Sequence, residues 1–454
     1  MKTILNGLLL QSCGEFPPWR REPLPYLACY LSMSISVFWF RRDLRLEDNP
    51  ALLAALEEGS EIVPFYVFDP RHYAAGPYGF PKTGAHRAQF IRESVSDLRR
   101  ALRTKGSELW IHQGSAAQGI AALQEHYAIS AVYCAEEVSW EEKAEEEEIA
   151  KLGLPLKRFW QYSLYSREDL PMALGEIPGV FTAFRKKMEK YSQVREPLPA
   201  PEKISSPPIQ GAGEIPSLAD PGHEQAPTDK RAVLPFKGGS EAALQRLNRY
   251  FWEEDRLRDY KNTRNGLIGQ AYSSKFSPWL AQGCISPRQI YAEIKAYEEE
   301  RVQNSSTYWL YFELIWRDFF RFTAAKEGSS FFKFRRDQWP AVHPDFDQWR
   351  MGNTGQDFVD ANMRELLYSG FMSNRGRQNV ASFLVRDLGQ PWQAGAAWFE
   401  SQLLDYDVCS NWGNWTYVAG VGADPRDNRY FNVAGQAERY DRKGKYRQLW
   451  LNET

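Results

Sequence analysis

The sequence predicts an α/β domain built on a five-stranded, parallel, doubly wound sheet, followed by an all-α domain. Three observations carry this. Between residues 34 and 160, strand-like and helix-like stretches alternate five times, the pattern of parallel strands with helices on both faces. From 240 to 450, apolar residues recur at helical spacing (Leu244, Leu247, Phe251; Leu310, Leu314, Phe319, Phe320) and strand signals are few. Between the two lies 197–235, with nine prolines in 39 residues and little periodicity, which reads as a long surface connector. The expected boundaries are an extension at 1–33, the α/β domain at 34–165, the connector at 166–236 and the helical domain at 237–450. A chain of 454 residues also calls for two or three domains rather than one.

The elements follow in order. Residues 1–33 hold a short apolar run at 4–10, then Pro17, Pro18, Pro23 and Pro25 among mixed charges. This matches a secretory signal poorly, and Glu15 and Glu22 weigh against an organellar transit peptide. Met33 is the expected start of the folded chain, with a cytoplasmic location expected and organellar targeting left open. Residues 36–40 are β-branched and aromatic, hence a strand. Asn49 and Pro50 supply an N-cap and an N1 proline for a helix ending near Gly59. Strands are expected at 61–68, 108–112, 131–135 and 156–160, and helices at 85–104, 116–126 and 140–151. The acidic run 141–148 reads as a solvated helix face.

Composition excludes several classes. No stretch of 18 apolar residues exists, so no membrane-spanning helix is expected. Lys and Arg number 56 against 58 Asp and Glu, so any nucleic-acid site must be a local patch. Five scattered cysteines without a CxxC pair argue for reduced thiols in an intracellular protein and against a zinc site. Six histidines show no HExxH spacing, and no strand is followed by GxGxxG or GxxxxGK[ST]. Tryptophan stands out: 11 of 16 lie between Trp252 and Trp450.

Four stretches of the helical domain carry chemistry. Ser273, Ser274, Lys275, Phe276 and Ser277 precede Pro278 and a helix, with Tyr260 and Arg264 upstream; hydroxyls, an ammonium and helix N–H groups suit either a phosphate cradle or a helix cap. Glu313, Trp316 and Arg317 share one helix face, setting a carboxylate beside a flat apolar plate. Asn374, Arg375, Arg377, Gln378 and Asn379 form a dense donor cluster in an apolar context. The fourth stretch runs from Asp405 and Asp407 through Asn411, Trp412 and Trp415 to Tyr417.

At these residues the chain resembles the photolyase/cryptochrome family. The resemblance rests on 37–46 (VFWFRRDLRL), 273–280, 313–320, "GFMSNRGRQNVASFL" and "DYDVCSNWGNW", the last two most similar to its cryptochrome DASH branch. It covers about 34 to 450. It implies an N-terminal antenna domain and a helical domain holding one FAD. By motif position Tyr260, Ser273, Ser274, Lys275, Phe276 and Ser277 would bind its phosphates and ribitol. Asp405 and Asp407 would hold its far side, with Arg377 paired to Asp405 beside the flavin ring, and Arg317 would also bind the cofactor. Asn411 would face flavin N5, where an amide both donates and accepts. Trp415, Trp392 and Trp339 match the family's electron-transferring tryptophans. Glu313, Trp316 and Asn374 match its substrate pocket, and Arg264, Arg375 and Gln436 its DNA contacts. Glu137 stands where relatives bind a 5,10-methenyltetrahydrofolate antenna.

Gln378 and Tyr417 depart from duplex-acting photolyases, which carry Met and Trp there, and make the pocket more polar. The resemblance therefore implies a monomer that repairs cyclobutane pyrimidine dimers in single-stranded or looped DNA. An excited reduced flavin lends an electron and recovers it after the ring opens. The alternative is a blue-light photoreceptor acting through protein partners or RNA.

Overall fold

The structure is a computed structural model, and it describes residues 35–58, 61–220, 222–223, 229–335, 337–422 and 430–452. The extension at 1–33 and the start at Met33 lie outside those residues. Strands β1 (Ile35–Trp39), β2 (Glu61–Phe68), β3 (Trp110–Gln113), β4 (Ile129–Ala135) and β5 (Leu156–Phe159) form one parallel sheet in the order β3-β2-β1-β4-β5. Central β1 is buried along its whole length, which is why ISVFW shows no alternation. Val37, Trp39, Val63 and Phe65 turn to a core closed by Ile120, Leu123 and Ile149. Phe38, Phe40 and Ile62 turn the other way, into a larger core that continues through the helical domain.

Helices α1 (Pro50–Glu57), α2 (Ala85–Thr104), α3 (Ala116–Gln124) and α4 (Trp140–Ala150) cover the sheet. Asn49 Oδ1 accepts the Leu52 N–H at 3.2 Å and Pro50 takes N1, as the sequence suggests. Strand β3 begins two residues later than expected, at Trp110, where its pairing with Phe65 of β2 starts.

The acidic run is a correction. Glu145 and Glu146 are buried rather than solvated. Arg41 Nη1 lies 2.6 Å from Glu146 Oε1, and Arg42 Nη2 lies 2.5 Å from Glu142 Oε1. These arginines follow β1 at the point where strand order reverses, so α4 is clamped there by ion pairs.

The expected connector is packed against its neighbours. Leu198 O, Ser205 O and Ala212 O accept the N–H groups of Asp48, Ile62 and Ile111 at 2.8, 2.9 and 2.8 Å. Proline removes donors but leaves acceptors, so this stretch can dock along free N–H groups. Ahead of the prolines, helix α5 (Phe181–Tyr191) buries Phe181, Phe184 and Met188.

Helices α6 (Ser240–Asn248), α7 (Pro287–Glu300), α8 (Ser305–Glu327), α9 (Asp357–Ser369), α10 (Asn374–Ser382), α11 (Trp392–Gln402), α12 (Val408–Ala419) and α13 (Val433–Tyr440) build the helical domain. Among the described residues no helix is long and apolar enough to cross a membrane. Asn304, Ser373 and Asp407 cap α8, α10 and α12 with side-chain oxygens. The long α8 is the axis. Its buried Asp318 accepts the Leu164 and Tyr165 N–H groups at 2.8 and 2.9 Å, tying the helical domain to the chain leaving β5.

Candidate functional site

Helix α8 faces a cavity of about 460 Å³ with Glu313, Trp316 and Arg317, the three residues that the helical repeat places together. Tyr260, Ser273, Ser274, Lys275, Phe276 and Ser277 line the same cavity. Buried Arg246 on α6 explains how the loop is set: it donates to Ser274 O, Gln270 O and Ser273 O at 3.0, 3.0 and 3.1 Å. With three carbonyls drawn back toward α6, the serines sit on the cavity wall. Sequence reading missed this residue, since its partners lie 24 to 28 positions away. Lys275 is less free than expected. Its Nζ donates to Gln270 O at 3.1 Å, and burial pulls its pKa down to about 6, with Arg246 adding to the fall.

The opposite wall comes from α10 and from the turn into α12. Arg377 Nη2 donates to Asp405 Oδ2 at 2.8 Å and Nε donates to Met372 O at 2.9 Å. Asp407 Oδ1 accepts the Ser410 N–H at 2.7 Å, and its other oxygen lies 3.6 Å from Arg317. Burial alone would raise the Asp407 pKa, but Arg317 and the Ser410 N–H hold it below the usual range. Asn411 lines an adjoining small cavity, its Nδ2 donating to Ala396 O at 3.1 Å. Asp405 Oδ1 is buried without a hydrogen-bond partner. A cavity with an unmet acceptor on one wall and a row of serines on the other fits the polar ring edge and phosphates of FAD. Arg246→Ala is expected to strand three carbonyls and weaken flavin retention. Losing hydrogen bonds from a charged group costs about 1.5–3 kcal/mol, roughly a ten- to hundredfold rise in dissociation constant. The flavin-to-protein absorbance ratio after dilution measures it.

The rim gathers the expected substrate residues. Arg264 Nη1 lies 2.5 Å from Glu313 Oε1. Burial pushes the Glu313 pKa up and Arg264 opposes it. Trp316 is plated by Phe181 of α5, ring centroids 3.6 Å apart and planes within 10°. Phe181 was expected only in the connector, although Phe181, Phe184 and Met188 repeat at helical spacing. Asn374, Gln378 and Tyr417 complete the wall, Tyr417 standing edge-on to Trp316 at 6.2 Å. Arg375 donates to Gln378 Oε1 at 2.8 Å and lies 4.6 Å over the Tyr440 ring. Gln436 sits one turn before Tyr440 on α13, outside the cavity wall.

Buried Trp415 packs against α11 at Gly395, where any Cβ would collide with its ring. Trp392, one turn earlier on α11, and Trp339 are both reached through Trp412, at 5.9 and 6.2 Å between centroids. Trp412 is thus a fourth indole that the sequence reading left without a role. Trp339 and Trp412 line a second cavity of about 440 Å³ between the two domains, with Arg42, Trp140 and Glu400. Glu137 lies beside it, buried and 3.4 Å from Arg321.

Comparison with known proteins gives consistent matches. The model of the FAD binding domain of DNA photolyase matches residues 309–454, and the DNA photolyase model matches 36–202. A Cryptochrome DASH from Gloeobacter violaceus is 49% identical over 432 residues, 93% of this chain and 86% of that protein. The crystal structure of a Synechocystis cryptochrome aligns with a TM-score of 0.87 at 47% identity, covering 92% of this chain and 89% of that one. A class III photolyase from Agrobacterium tumefaciens aligns at 0.77 and 28% identity, over 94% and 88%.

Proposed function

The chain belongs to the cryptochrome DASH branch of the DNA photolyase family, and from that premise we propose that it splits cyclobutane pyrimidine dimers under blue or near-ultraviolet light, preferentially in single-stranded or looped DNA. The observation that supports this most is the rim: a carboxylate, Glu313, beside the Trp316–Phe181 stack, opening onto the cavity that fits FAD. Reduced FAD, when bound, supplies the light-excited electron that opens the cyclobutane ring. The residues of this chain do the rest. Tyr260, Ser273, Ser274, Lys275, Phe276 and Ser277 hold the phosphate side, while Arg317, Arg377, Asp405, Asp407 and Asn411 orient the ring. Glu313 and Asn374 hydrogen-bond the pyrimidine edges and stabilise the charge that develops there, and Trp316 stacks. Arg264, Arg375, Gln378, Tyr417 and Gln436 border the nucleic acid. Trp415, Trp392 and Trp339 link the cavity to the surface, and a methenyltetrahydrofolate antenna would take the interdomain cavity near Glu137. The working form is a monomer.

The single-strand preference rests on Gln378 and Tyr417. Gln378 is held by Arg375, and Tyr417 meets Trp316 only edge-on, so the pocket offers one broad apolar plate. Flipping a dimer from a duplex costs a few kcal/mol, and each base stack returns about 1–3 kcal/mol. A single strand has no pairing to break. Illuminating dimer-containing single- and double-stranded oligonucleotides and counting restored thymines tests this. Gln378→Met with Tyr417→Trp is expected to raise duplex repair more than single-strand repair; equal gains on both would remove the argument. The same polar pair favours the second reading, a photoreceptor with little repair. A protein that holds reduced FAD yet restores thymines in neither substrate selects it.

A further inference from the structure

Glu313 meets its cationic partner at the mouth of the cavity. Arg264 comes from the turn after the short helix Tyr260–Thr263, and its guanidinium also lies 5.3 Å over the Trp309 ring, one turn before Glu313 on α8. Both side chains are partly open to solvent, 22% for Arg264 and 30% for Glu313, so an incoming ligand can reach the pair. The other groups facing this mouth are mostly committed. Tyr260 is buried beside Glu313. Lys261 lies 4.8 Å over Trp309. Arg317 on α8 is turned inward to Tyr162 O, Leu280 O and Asp407. From α10, Arg375 donates to Gln378 and Asn265 and stacks on Tyr440. From α12 comes Tyr417. Arg264 is therefore the cation paired with Glu313.

The same arginine belongs to a second group. Arg375 and Arg439 share the Tyr440 ring, 4.6 and 5.4 Å from its centroid, and Arg375 also donates to Asn265, the neighbour of Arg264. Arg264 at the cavity mouth, with Arg375 and Arg439 beside it around Tyr440, makes a cationic edge suited to an anion. A phosphate diester suits it, since its oxygens take an arginine fork in two parallel hydrogen bonds.

We propose that Arg264 is a phosphate-operated latch: a nucleic-acid phosphate reaching the rim takes the guanidinium away from Glu313, and the released carboxylate takes one proton from solvent. This rests on the nucleic-acid reading above. Only an O–H bond at Glu313 is formed, and the proton comes from water. The consequence is chemical. A carboxylate can only accept, so it clashes with a pyrimidine carbonyl, whereas a carboxyl donates to one. The direction follows from the environment. Burial already pushes Glu313 up and Arg264 is its main opposing influence, so departure of Arg264 raises the pKa further. Phosphate binding and proton uptake then reinforce each other, and oligonucleotide affinity falls as pH rises, by at most about tenfold per pH unit for one linked proton.

The test is titration calorimetry of the flavin-loaded, full-length protein with undamaged oligothymidylate in the dark. It is run in two buffers of unlike ionisation enthalpy, between about pH 6 and 8. The expected result is net uptake of up to about one proton per site, lost in Glu313→Gln while binding persists. Arg264→Gln should bind more weakly and take up less, because Glu313 is already partly protonated before the ligand arrives. Parent binding without proton uptake overturns the latch and leaves the DNA reading standing. Uptake that survives in Glu313→Gln also overturns it, by assigning the proton elsewhere. No binding by a correctly flavinated parent overturns the nucleic-acid reading and the latch together.

Discussion

Replacing Trp415 or Trp392 by Phe is expected to leave the oxidised flavin yellow under blue light with an external reductant, where the parent bleaches. Trp415 is 2% exposed and packed on Gly395, so no solvent donor reaches the cavity at that point. Trp392 lies one turn along α11 and meets Trp412, which meets Trp339. A benzene ring keeps most of the packing volume, so the fold should survive. It does not keep the easily oxidised indole. Flavin absorbance followed over minutes of illumination gives the answer, with near-ultraviolet circular dichroism to confirm packing. Photoreduction at the parental rate in both variants would mean that another donor path supplies the cavity.

Glu313→Ala is expected to retain the flavin and lose most dimer splitting. The carboxyl touches Arg264 and the cavity mouth rather than the wall formed by Asp405 and Arg377. A hydrogen bond from such a group contributes about 1.5–3 kcal/mol, roughly ten- to hundredfold in rate if it is made in the transition state. Restored thymines per absorbed photon measure the loss, and the flavin-to-protein ratio measures retention. A variant that loses flavin in proportion to activity would place Glu313 in the cofactor wall.

Wherever the signal is local, much of this molecule is legible in the sequence. The Asn49–Pro50 cap and start, the strand at Glu61–Phe68 and the helix at Ala85–Thr104 all stand where the pattern puts them. Local rules also place Glu313, Trp316 and Arg317 on one helical face and the serine loop ahead of a helix. The family is legible for a different reason: long runs such as "DYDVCSNWGNW" are too specific to arise by spacing alone.

What the sequence could not show concerns partners far apart in the chain. The charges of 141–148 look like a solvated face until Arg41 and Arg42, about 100 residues upstream, are folded against them. The proline-rich stretch 197–235 looks like a free connector until the carbonyls of Leu198, Ser205 and Ala212 meet the N–H groups of Asp48, Ile62 and Ile111. Phe181 under Trp316, Arg246 behind the serine loop, Trp412 between Trp392 and Trp339, and Arg264 on Glu313 share this property. Helical periodicity and caps arise between residues three or four apart, so short-range order is written in the chain itself. Ion pairs, ring stacks and shared cavities depend on the path the backbone takes through space, and that path alone decides which buried charge finds a counter-charge.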